Sequence, residues 1–124
     1  MSSDHDRRVL LLLVDDEPEI RMLLRTMLGV RNWNVDEASS GPEALEKCDE
    51  DGYRAIILDQ RMPRMTGLEV ARELRDQGNE TPIVLFSAYL EPDVEAGAQE
   101  LGLPTVPKDD FDQLFDVLER LVRA

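Results

Sequence analysis

Short apolar runs alternate along the chain with longer segments in which apolar and polar residues recur at helical spacing. The runs at 9–14, 55–58 and 82–86 contain no polar side chain, which is typical of strands buried on both faces of a sheet. Two other runs are shorter or more mixed in character. We therefore predict five strands, at 8–14, 34–38, 53–58, 82–86 and 103–106.

The segments after the strands predict five helices, because each combines apolar spacing with residues that start or stop helices. The first helix is predicted at 18–28 and is expected to end at Gly29, while Asp51-Gly52 ends the second. The fourth helix is the least specified, since it carries few large apolar residues. The first helix has an apolar stripe made of Ile20, Leu23, Leu24, Met27 and Leu28. The expected caps are Asp16 or Glu17 for the first helix and Asp109 or Asp110 for the fifth.

This alternation of strands and helices favours a parallel sheet covered on both faces and joined by right-handed crossovers. Five strands of this length indicate an α/β, flavodoxin-like doubly wound sheet with strand order 2-1-3-4-5. That order places strands 1, 3 and 4 in the centre, and these are the three most apolar runs. We expect the 124 residues to form one domain, with residues 1–7 as a flexible tail and no effector domain in the chain.

Composition and charge limit the binding partners and the cellular locations that we expect for this protein. The formal net charge of −13 argues against nucleic-acid binding by this chain, because phosphate backbones require a basic face. Cys48 is the single cysteine, so no internal disulfide forms and a reducing cytoplasm is the simplest location. No apolar stretch approaches the length that spans a membrane, and the start of the chain is too polar for a signal peptide. The single histidine, His5, falls in the expected tail, so a phosphorelay or metal role for it is the weaker interpretation.

Acidic residues follow two of the buried strands. Asp15 and Asp16 come directly after the first strand, and Asp59 comes directly after the third. In a parallel sheet these strand ends meet in the crevice where such folds bind ligands. Two carboxylates about 5 Å apart repel by about 3 kcal/mol at an effective dielectric of about 20. The sequence therefore predicts that the three acids share a cation, and a divalent metal beside a nucleophilic aspartate is the favoured interpretation.

Two further polar residues follow the fourth and fifth strands. Ser87 and Lys108 would point into the same crevice as the three aspartates. A hydroxyl, an ammonium and a Mg²⁺ held by carboxylates are the groups needed to transfer a phosphoryl group onto a carboxylate. For any one of these residues a capping, loop or surface role is the simpler explanation, and only the combination favours the chemistry.

With these residues in place, the chain resembles the receiver domains of two-component response regulators over about residues 8–123. Four segments in chain order carry the resemblance: Val14-Asp15-Asp16-Glu17-Pro18, then Asp59-x-x-Met62-Pro63-x-Met65-x-Gly67, then Phe86-Ser87-Ala88, and finally Lys108. The resemblance implies that Asp59 accepts the phosphoryl group. It also implies that Asp16, Asp59 and the backbone carbonyl of Arg61 bind Mg²⁺ directly, and that Asp15 orients the metal through water. Ser87 would then hydrogen-bond the phosphoryl group, and Lys108 would pair with it.

The same resemblance implies partners and an output. A sensor histidine kinase or a phosphotransfer protein would donate the phosphoryl group, and the face formed by the fourth helix, fifth strand and fifth helix would switch. An output protein or a lost effector domain would receive the signal, and a homodimer stays open. The domain would not be a general enzyme, since it would catalyse only its own aspartyl phosphorylation and dephosphorylation.

The chain departs from the family pattern near Lys108. Family members usually have proline directly after this lysine, often through a cis peptide, whereas Asp109 follows it here and Pro107 precedes it. Thr105 stands where many members carry an aromatic switch residue. Arg61 and Tyr89 flank the expected site, and together with Thr105 they are candidates for tuning the lifetime or coupling of the phosphoryl group.

Three other functions remain as alternatives. A flavodoxin-type FMN protein shares the fold but requires a phosphate loop where this chain has Asp15-Asp16-Glu17, which would repel phosphate. A metal-dependent phosphatase would commonly carry a second aspartate two residues after Asp59, where this chain has Arg61. A pseudo-receiver that binds partners without phosphorylation stays open because of the altered surroundings of Lys108.

Overall fold

A computed structural model describes residues 9–50 and 52–123 of the chain, in which five strands alternate with five helices. The strands are β1 (Leu10–Val14), β2 (Asn34–Ala38), β3 (Ala55–Leu58), β4 (Ile83–Ser87) and β5 (Thr105–Pro107). The helices are α1 (Pro18–Val30), α2 (Gly41–Glu50), α3 (Gly67–Asp76), α4 (Pro92–Glu100) and α5 (Phe111–Arg123). Three expectations lie outside the described residues: the tail with His5, the start of the first strand at residue 8, and Asp51 as a stop for α2.

The strands form one parallel sheet in the order β2-β1-β3-β4-β5, so the predicted flavodoxin-like topology is confirmed. The central strands β1, β3 and β4 are almost entirely buried, which explains their continuous apolar sequences. In the register of β1 and β3, Val14 lies opposite Leu58. Both of these strands therefore end at the same level, and the residues that follow them start side by side.

Two hydrophobic layers cover the sheet because successive side chains of a strand point to opposite faces. One face carries Leu12, Val14, Ile56 and Leu58 and packs against α2, α3 and α4. The other face packs against α1 and α5. Fully buried residues of this layer include Leu11, Leu13, Leu24, Leu28, Ile57 and Phe86. Helices on both faces leave the carboxyl edge of the sheet as the place where loops can form a pocket.

The structure corrects several details of the first helix. Helix α1 continues through Gly29 to Val30, and the chain turns only at Asn32, which has a φ of 63°. A glycine inside a helix costs about 1 kcal/mol, which is too little to end a helix whose other residues pack well. Leu23, expected in the apolar stripe, is 44% exposed, because the buried stripe is centred on Leu24 and Leu28.

Strands β3 and β5 also differ from the predicted bounds. β3 begins at Ala55 rather than at Tyr53, although the Tyr53 side chain is still buried in the core. β5 spans Thr105–Pro107 instead of 103–106, since Pro104 contributes only its carbonyl, which accepts the Leu85 N–H at 2.9 Å. β4 extends one residue further than predicted, so Ser87 is part of the sheet.

The helix starts explain how the loops are held. Neither Asp16 nor Glu17 caps α1 through its side chain: Glu17 is the N-cap residue by backbone alone. Asp110 does cap α5, since its Oδ1 accepts the Gln113 N–H at 3.0 Å. Helix α3 starts with a capping box between Thr66 and Glu69, a pattern that is visible in the sequence as Thr-x-x-Glu.

Two further features bear on the chemistry of the surface. Cys48 is half-buried on α2, where burial and the negative charge of Asp49 raise the pKa of its thiol to about 11. In the described part of the chain, none of the helices is both long and apolar enough to cross a membrane.

Candidate functional site

Three carboxylates meet at the carboxyl ends of β1 and β3. Asp15 and Asp59 directly follow these neighbouring strands, and the Asp59 N–H donates to the carbonyl of Val14 at 3.0 Å. One carboxylate oxygen from each of Asp15, Asp16 and Asp59 lies within 4.8 Å of the others. Asp15 is 2% exposed and Asp59 is 4% exposed, while Asp16 is half-buried. The predicted clustering of the three acids is therefore what the sheet produces.

The ammonium of Lys108 lies among these acids. Its Nζ is 2.9 Å from Asp15 Oδ2, 3.1 Å from Asp59 Oδ2 and 3.1 Å from Glu17 Oε1. Glu17 is more than half exposed, so the lysine spans the distance from the buried pocket to its rim. The Lys108 side chain contacts the acids although Asp109, and not proline, follows it. All peptide bonds between described residues are trans, including those around this lysine.

Burial and charge act against each other in this pocket. Burial raises the pKa of Asp15 above its ordinary value, and the negative charge of Asp59 adds to this rise, although Lys108 and the Glu17 N–H act in the opposite direction. Burial also disfavours the charged form of Lys108, but hydrogen bonds and charge from Asp15 and Asp59 outweigh it and raise the pKa of this lysine. The rise in the pKa of Asp15 is therefore mainly an effect of burial, which the contact with Lys108 reduces but does not cancel.

The loop after Asp59 is fixed from both of its ends. Asp59 Oδ1 accepts the N–H of Gln60 at 2.9 Å, which orients the carboxylate. The Gln60 carbonyl accepts the Gly67 N–H, and its side-chain oxygen accepts the Leu68 N–H, each at 2.9 Å. A Cβ atom at Gly67 would lie 2.3 Å from the Asp59 carbonyl oxygen, so only glycine permits this approach.

Ser87 completes the pocket from the end of β4. It is 1% exposed, and its Oγ accepts the Tyr89 N–H at 3.1 Å. The Ser87 carbonyl accepts the Lys108 N–H at 3.1 Å, and Ser87 pairs in register with Pro107. The backbones of Ser87 and Lys108 are thus joined, which places both residues at the same edge as the acids.

The three expected tuning positions do not lie together: Arg61 contacts Tyr89, whereas Thr105 contacts α4. The Arg61 guanidinium stacks on the Tyr89 ring, with its central carbon 4.4 Å from the ring centroid, and both side chains are exposed. The position of the Arg61 backbone carbonyl as a metal ligand stays a prediction. Thr105 is the first residue of β5, and its Oγ1 donates to Glu95 Oε1 on α4 at 2.7 Å.

The sequence reasoning missed several residues that contact the site. It did not identify Glu17 as a partner of Lys108, or Gln60 as the brace of the loop. It also missed Arg21, which donates to the Asp15 carbonyl at 2.7 Å and is held in turn by Glu37 at 3.0 Å. An arginine one turn into the helix that follows an acidic loop was the available signal, because helical side chains lean toward the helix N-terminus.

A model of the response regulator receiver domain matches residues 11–119 of this chain. The chain belongs to the response regulator receiver domain family. The matched segment includes β1 and β3 with their acids, the loop after Asp59, and Lys108.

Two curated relatives are much longer than the segment that each shares with this chain. The transcriptional regulatory protein ResD of Bacillus subtilis is 42% identical over 85 residues, which are 68% of this chain and 35% of that protein. The transcriptional regulatory protein SrrA of Staphylococcus aureus is 42% identical over 78 residues, which are 63% of this chain and 32% of that protein. The chain therefore spans about a third of the length of these curated relatives.

Solved structures match nearly the whole receiver domain. The response regulator TrrA of Thermotoga maritima, in complex with Mg²⁺ and BeF, has a TM-score of 0.82 and 35% identity, covering 91% of this chain and 98% of TrrA. TrrA in complex with the histidine kinase ThkA has a TM-score of 0.83 and 36% identity, covering 92% of this chain and 98% of TrrA.

Proposed function

We propose that this receiver domain accepts a phosphoryl group on Asp59 from a phosphohistidine of a sensor histidine kinase or a phosphotransfer protein. The observation that carries the proposal is the approach of the Asp15, Asp16 and Asp59 carboxylates to within 4.8 Å, with Lys108 in contact. An Asp59 carboxylate oxygen would attack phosphorus, the P–N bond would break, and the histidine imidazole would leave. Water would later attack the phosphorus and release inorganic phosphate, which restores the Asp59 carboxylate.

The donor set fits Mg²⁺. Hard carboxylate oxygens are the ligands that Mg²⁺ prefers, and one oxygen from each of Asp15, Asp16 and Asp59 lies within 4.8 Å of the others. Asp16, Asp59 and the backbone carbonyl of Arg61 would bind the ion directly, and Asp15 would orient it through water. When bound, Mg²⁺ would neutralise charge on the carboxylates and on the phosphoryl oxygens. The Mg²⁺–BeF complex of the similar TrrA supports this assignment.

Ser87 and Lys108 would bind the phosphoryl group once it is on Asp59. Lys108 Nζ already lies 3.1 Å from Asp59 Oδ2, so its ammonium is within reach of oxygens attached to that carboxylate. The Ser87 hydroxyl accepts the Tyr89 N–H, and a hydroxyl can also donate to a phosphoryl oxygen. The backbone link between Ser87 and Lys108 would make the two groups move together.

Arg61 and Tyr89 are the residues that we expect to set the lifetime of the phosphoryl group. Their stacked side chains are exposed to solvent, and the two residues follow Asp59 and Ser87, each by two positions. This arrangement also disfavours phosphatase chemistry, because Arg61 occupies the position where such enzymes commonly carry an acid. The domain would act on its own aspartate and would not turn over phosphate esters in general.

The phosphoryl group would change the face formed by α4, β5 and α5. Phosphorylation adds between one and two negative charges to a pocket that is already acidic, so Ser87 and Lys108 would be drawn toward Asp59. A shift of Ser87 would be transmitted to α4 through the loop that contains Tyr89, and to β5 through Pro107. An output protein or an effector domain in a longer protein would read this change, as the names and lengths of ResD and SrrA suggest.

The decisive experiment is phosphorylation by acetyl phosphate, followed by intact-mass measurement. With Mg²⁺ present, wild-type protein should gain the mass of one phosphoryl group, and chelation of the metal should prevent this gain. Asp59→Asn should abolish labelling, whereas the matched variant Asp116→Asn, at an exposed position of α5, should label like wild type. The proposal is wrong if wild type stays unlabelled while an active receiver domain is labelled in parallel. It is also wrong if Asp59→Asn is still labelled at the wild-type level.

A further inference from the structure

We infer that Arg21 is a positioning residue for the acidic pocket and acts through the backbone of Asp15. This inference rests on the proposed function. The Arg21 Nη1 donates to the Asp15 carbonyl oxygen at 2.7 Å, and its Nε donates to Glu37 Oε1 at 3.0 Å. The Arg21 side chain is 18% exposed, so both contacts are partly shielded from water. A guanidinium with its planar fork of donors is suited to fix two acceptors at once.

The sequence places Arg21 correctly for this task. Helix α1 starts at Pro18, and the Arg21 N–H closes its first turn by donating to the Glu17 carbonyl at 3.2 Å. Because side chains on a helix lean toward its N-terminus, the guanidinium extends back over the loop that carries the acids. The carbonyl that it binds belongs to the peptide that joins Asp15 to Asp16. Fixing the plane of this peptide orients the backbone at both acidic residues.

Strand β2 supplies the other half of the arrangement. The Asp15 N–H donates to the Ala38 carbonyl at 3.1 Å, and Glu37, the residue before Ala38, binds Arg21. Both peptide groups of Asp15 are therefore held from β2, one directly and the other through Arg21. Since β2 is the edge strand of the sheet, this pair of contacts couples the edge to the pocket.

Charge alone and positioning predict opposite effects of removing Arg21. If Arg21 acts only as a cation near the three carboxylates, it repels Mg²⁺, and removing it would strengthen metal binding. If Arg21 positions the pocket, removing it would weaken metal binding, because residues that orient metal ligands contribute about 10- to 100-fold to affinity. The sign of the change therefore distinguishes the two roles.

Arg25 provides a matched control on the same helix. Its Nε donates to the other oxygen of Glu37 at 2.5 Å, and its side chain is 54% exposed. Arg25 therefore shares the helix, the charge and the partner of Arg21, but it lies one turn further from Asp15. Arg25→Ala removes the same charge and a contact to the same Glu37, and leaves the Arg21 contact to the Asp15 carbonyl.

The experiment is calorimetric titration with Mg²⁺, combined with acetyl phosphate labelling at several metal concentrations. We expect Arg21→Ala to weaken Mg²⁺ binding about tenfold. Labelling should then need correspondingly more Mg²⁺, while its rate at saturating metal stays near the wild-type value. Arg21→Lys should recover part of the affinity, and Glu37→Gln should weaken it less than Arg21→Ala. Arg25→Ala should show no weakening.

Several outcomes would overturn the inference. Unchanged or tighter Mg²⁺ binding by folded Arg21→Ala would mean that Arg21 only joins α1 to β2. If Arg21→Ala does not fold, wild-type affinity in both Arg21→Lys and Glu37→Gln would reject the positioning role. If the wild type binds Mg²⁺ and becomes labelled, and folded Arg21→Ala binds Mg²⁺ with the same affinity, this inference fails and the proposed function stands. A wild type that binds no Mg²⁺ would also end the proposed function.

Discussion

Lys108 determines the charge balance of the pocket, since its single ammonium contacts Asp15, Asp59 and Glu17. One positive charge cannot neutralise this many carboxylates, and the pKa of the deeply buried Asp15 rises as a result of its burial and of Asp59. The ionised form of Asp15 therefore lowers the stability of the fold. Such a cost is expected where a site is arranged for a ligand rather than for stability.

Asp15→Asn should stabilise the protein at pH 7 when a chelator removes divalent metal. A carboxyl group whose pKa is raised by folding prefers its protonated form in the folded state, so ionised Asp15 destabilises the fold at neutral pH. The melting temperature should rise by a few degrees, and the gain should disappear below the ordinary pKa of 3.8. Asp116→Asn controls for the loss of one negative charge from a chain with a net charge of −13. Equal gains in the two variants would contradict this prediction.

Gly67→Ala should disrupt the loop that holds Asp59. A Cβ atom would lie 2.3 Å from the Asp59 carbonyl oxygen, and forcing backbone apart in a packed region costs roughly 1–3 kcal/mol. We expect a lower denaturation midpoint and a lower rate of acetyl phosphate labelling. Gly29→Ala is the matched control, because a Cβ there meets nothing within 4 Å inside α1 and should stabilise by about 0.5–1 kcal/mol. A Gly67→Ala protein with normal stability and labelling would show that the loop can yield.

At the scale of elements, ionic contacts join α1 to the edge strand β2. Glu37 receives both Arg25 and Arg21, and these hydrogen bonds and charges lower its pKa in spite of some desolvation. Hydrogen bonds to charged groups are among the stronger contacts that a partly exposed surface can make. Ionic contacts with α1 thus help to hold the edge strand β2 in place.

Glu37→Gln should show a pH-dependent loss of stability. A carboxylate with a lowered pKa stabilises the fold above its ordinary value of 4.5 and loses this contribution as the pH falls through the folded-state pKa. The difference in unfolding free energy from wild type should be at most about 1 kcal/mol at pH 7. It should shrink below pH 4.5, as followed by urea denaturation at a series of pH values. A difference that grows in acid would contradict the sign.

The hydrogen bond from Thr105 to Glu95 links β5 to α4 at a position where many family members carry an aromatic residue. The buried residues of helix α4 are Val94 and the small Gly97 and Ala98. A single hydrogen bond therefore contributes a large share of the stability of this helix. Thr105→Val should lower the free energy needed to open α4 by about 1 kcal/mol. The hydrogen-exchange rate of α4 amides should then rise about fivefold. Thr105→Ser keeps the hydroxyl and should exchange like wild type. Equal protection of α4 in wild type and Thr105→Val would remove this role.

At the scale of the whole molecule, charge is distributed unevenly. From residue 80 to residue 119 the only cation is Lys108, and its ammonium lies in the acidic pocket. The exposed surface of α4 and α5 in this stretch is therefore acidic, with residues such as Asp93, Glu95, Asp112 and Asp116. Two copies of this face would bring like charges together.

We expect the unphosphorylated domain to be monomeric at low ionic strength. Repulsion between two acidic faces should oppose association there, and added salt should weaken this repulsion rather than break a dimer. Light scattering coupled to size-exclusion chromatography, over a range of concentrations and salt, measures this directly. A dimer that forms at low salt and dissociates at high salt would contradict the prediction and indicate contacts between opposite charges elsewhere.

The sequence predicted the topology and the grouping of acids because both depend on where continuous apolar runs end. It could not predict the partners of long side chains, since the contact between Glu17 and Lys108 joins residues 91 positions apart. The length of α1 was underestimated because packing of Leu24 and Leu28 outweighs the low helix propensity of Gly29. The start of β5 was misplaced because a proline carbonyl can join a sheet without a proline N–H.

The half-buried thiol of Cys48 can report local opening of the structure around α2. With a pKa of about 11, little of this sulfhydryl is thiolate near neutrality, so alkylating reagents should react slowly with native protein. Transient detachment of α2 would expose the sulfur to solvent and lower its pKa toward that of a free cysteine. The rate of alkylation at Cys48 then measures how often α2 detaches, without any introduced label.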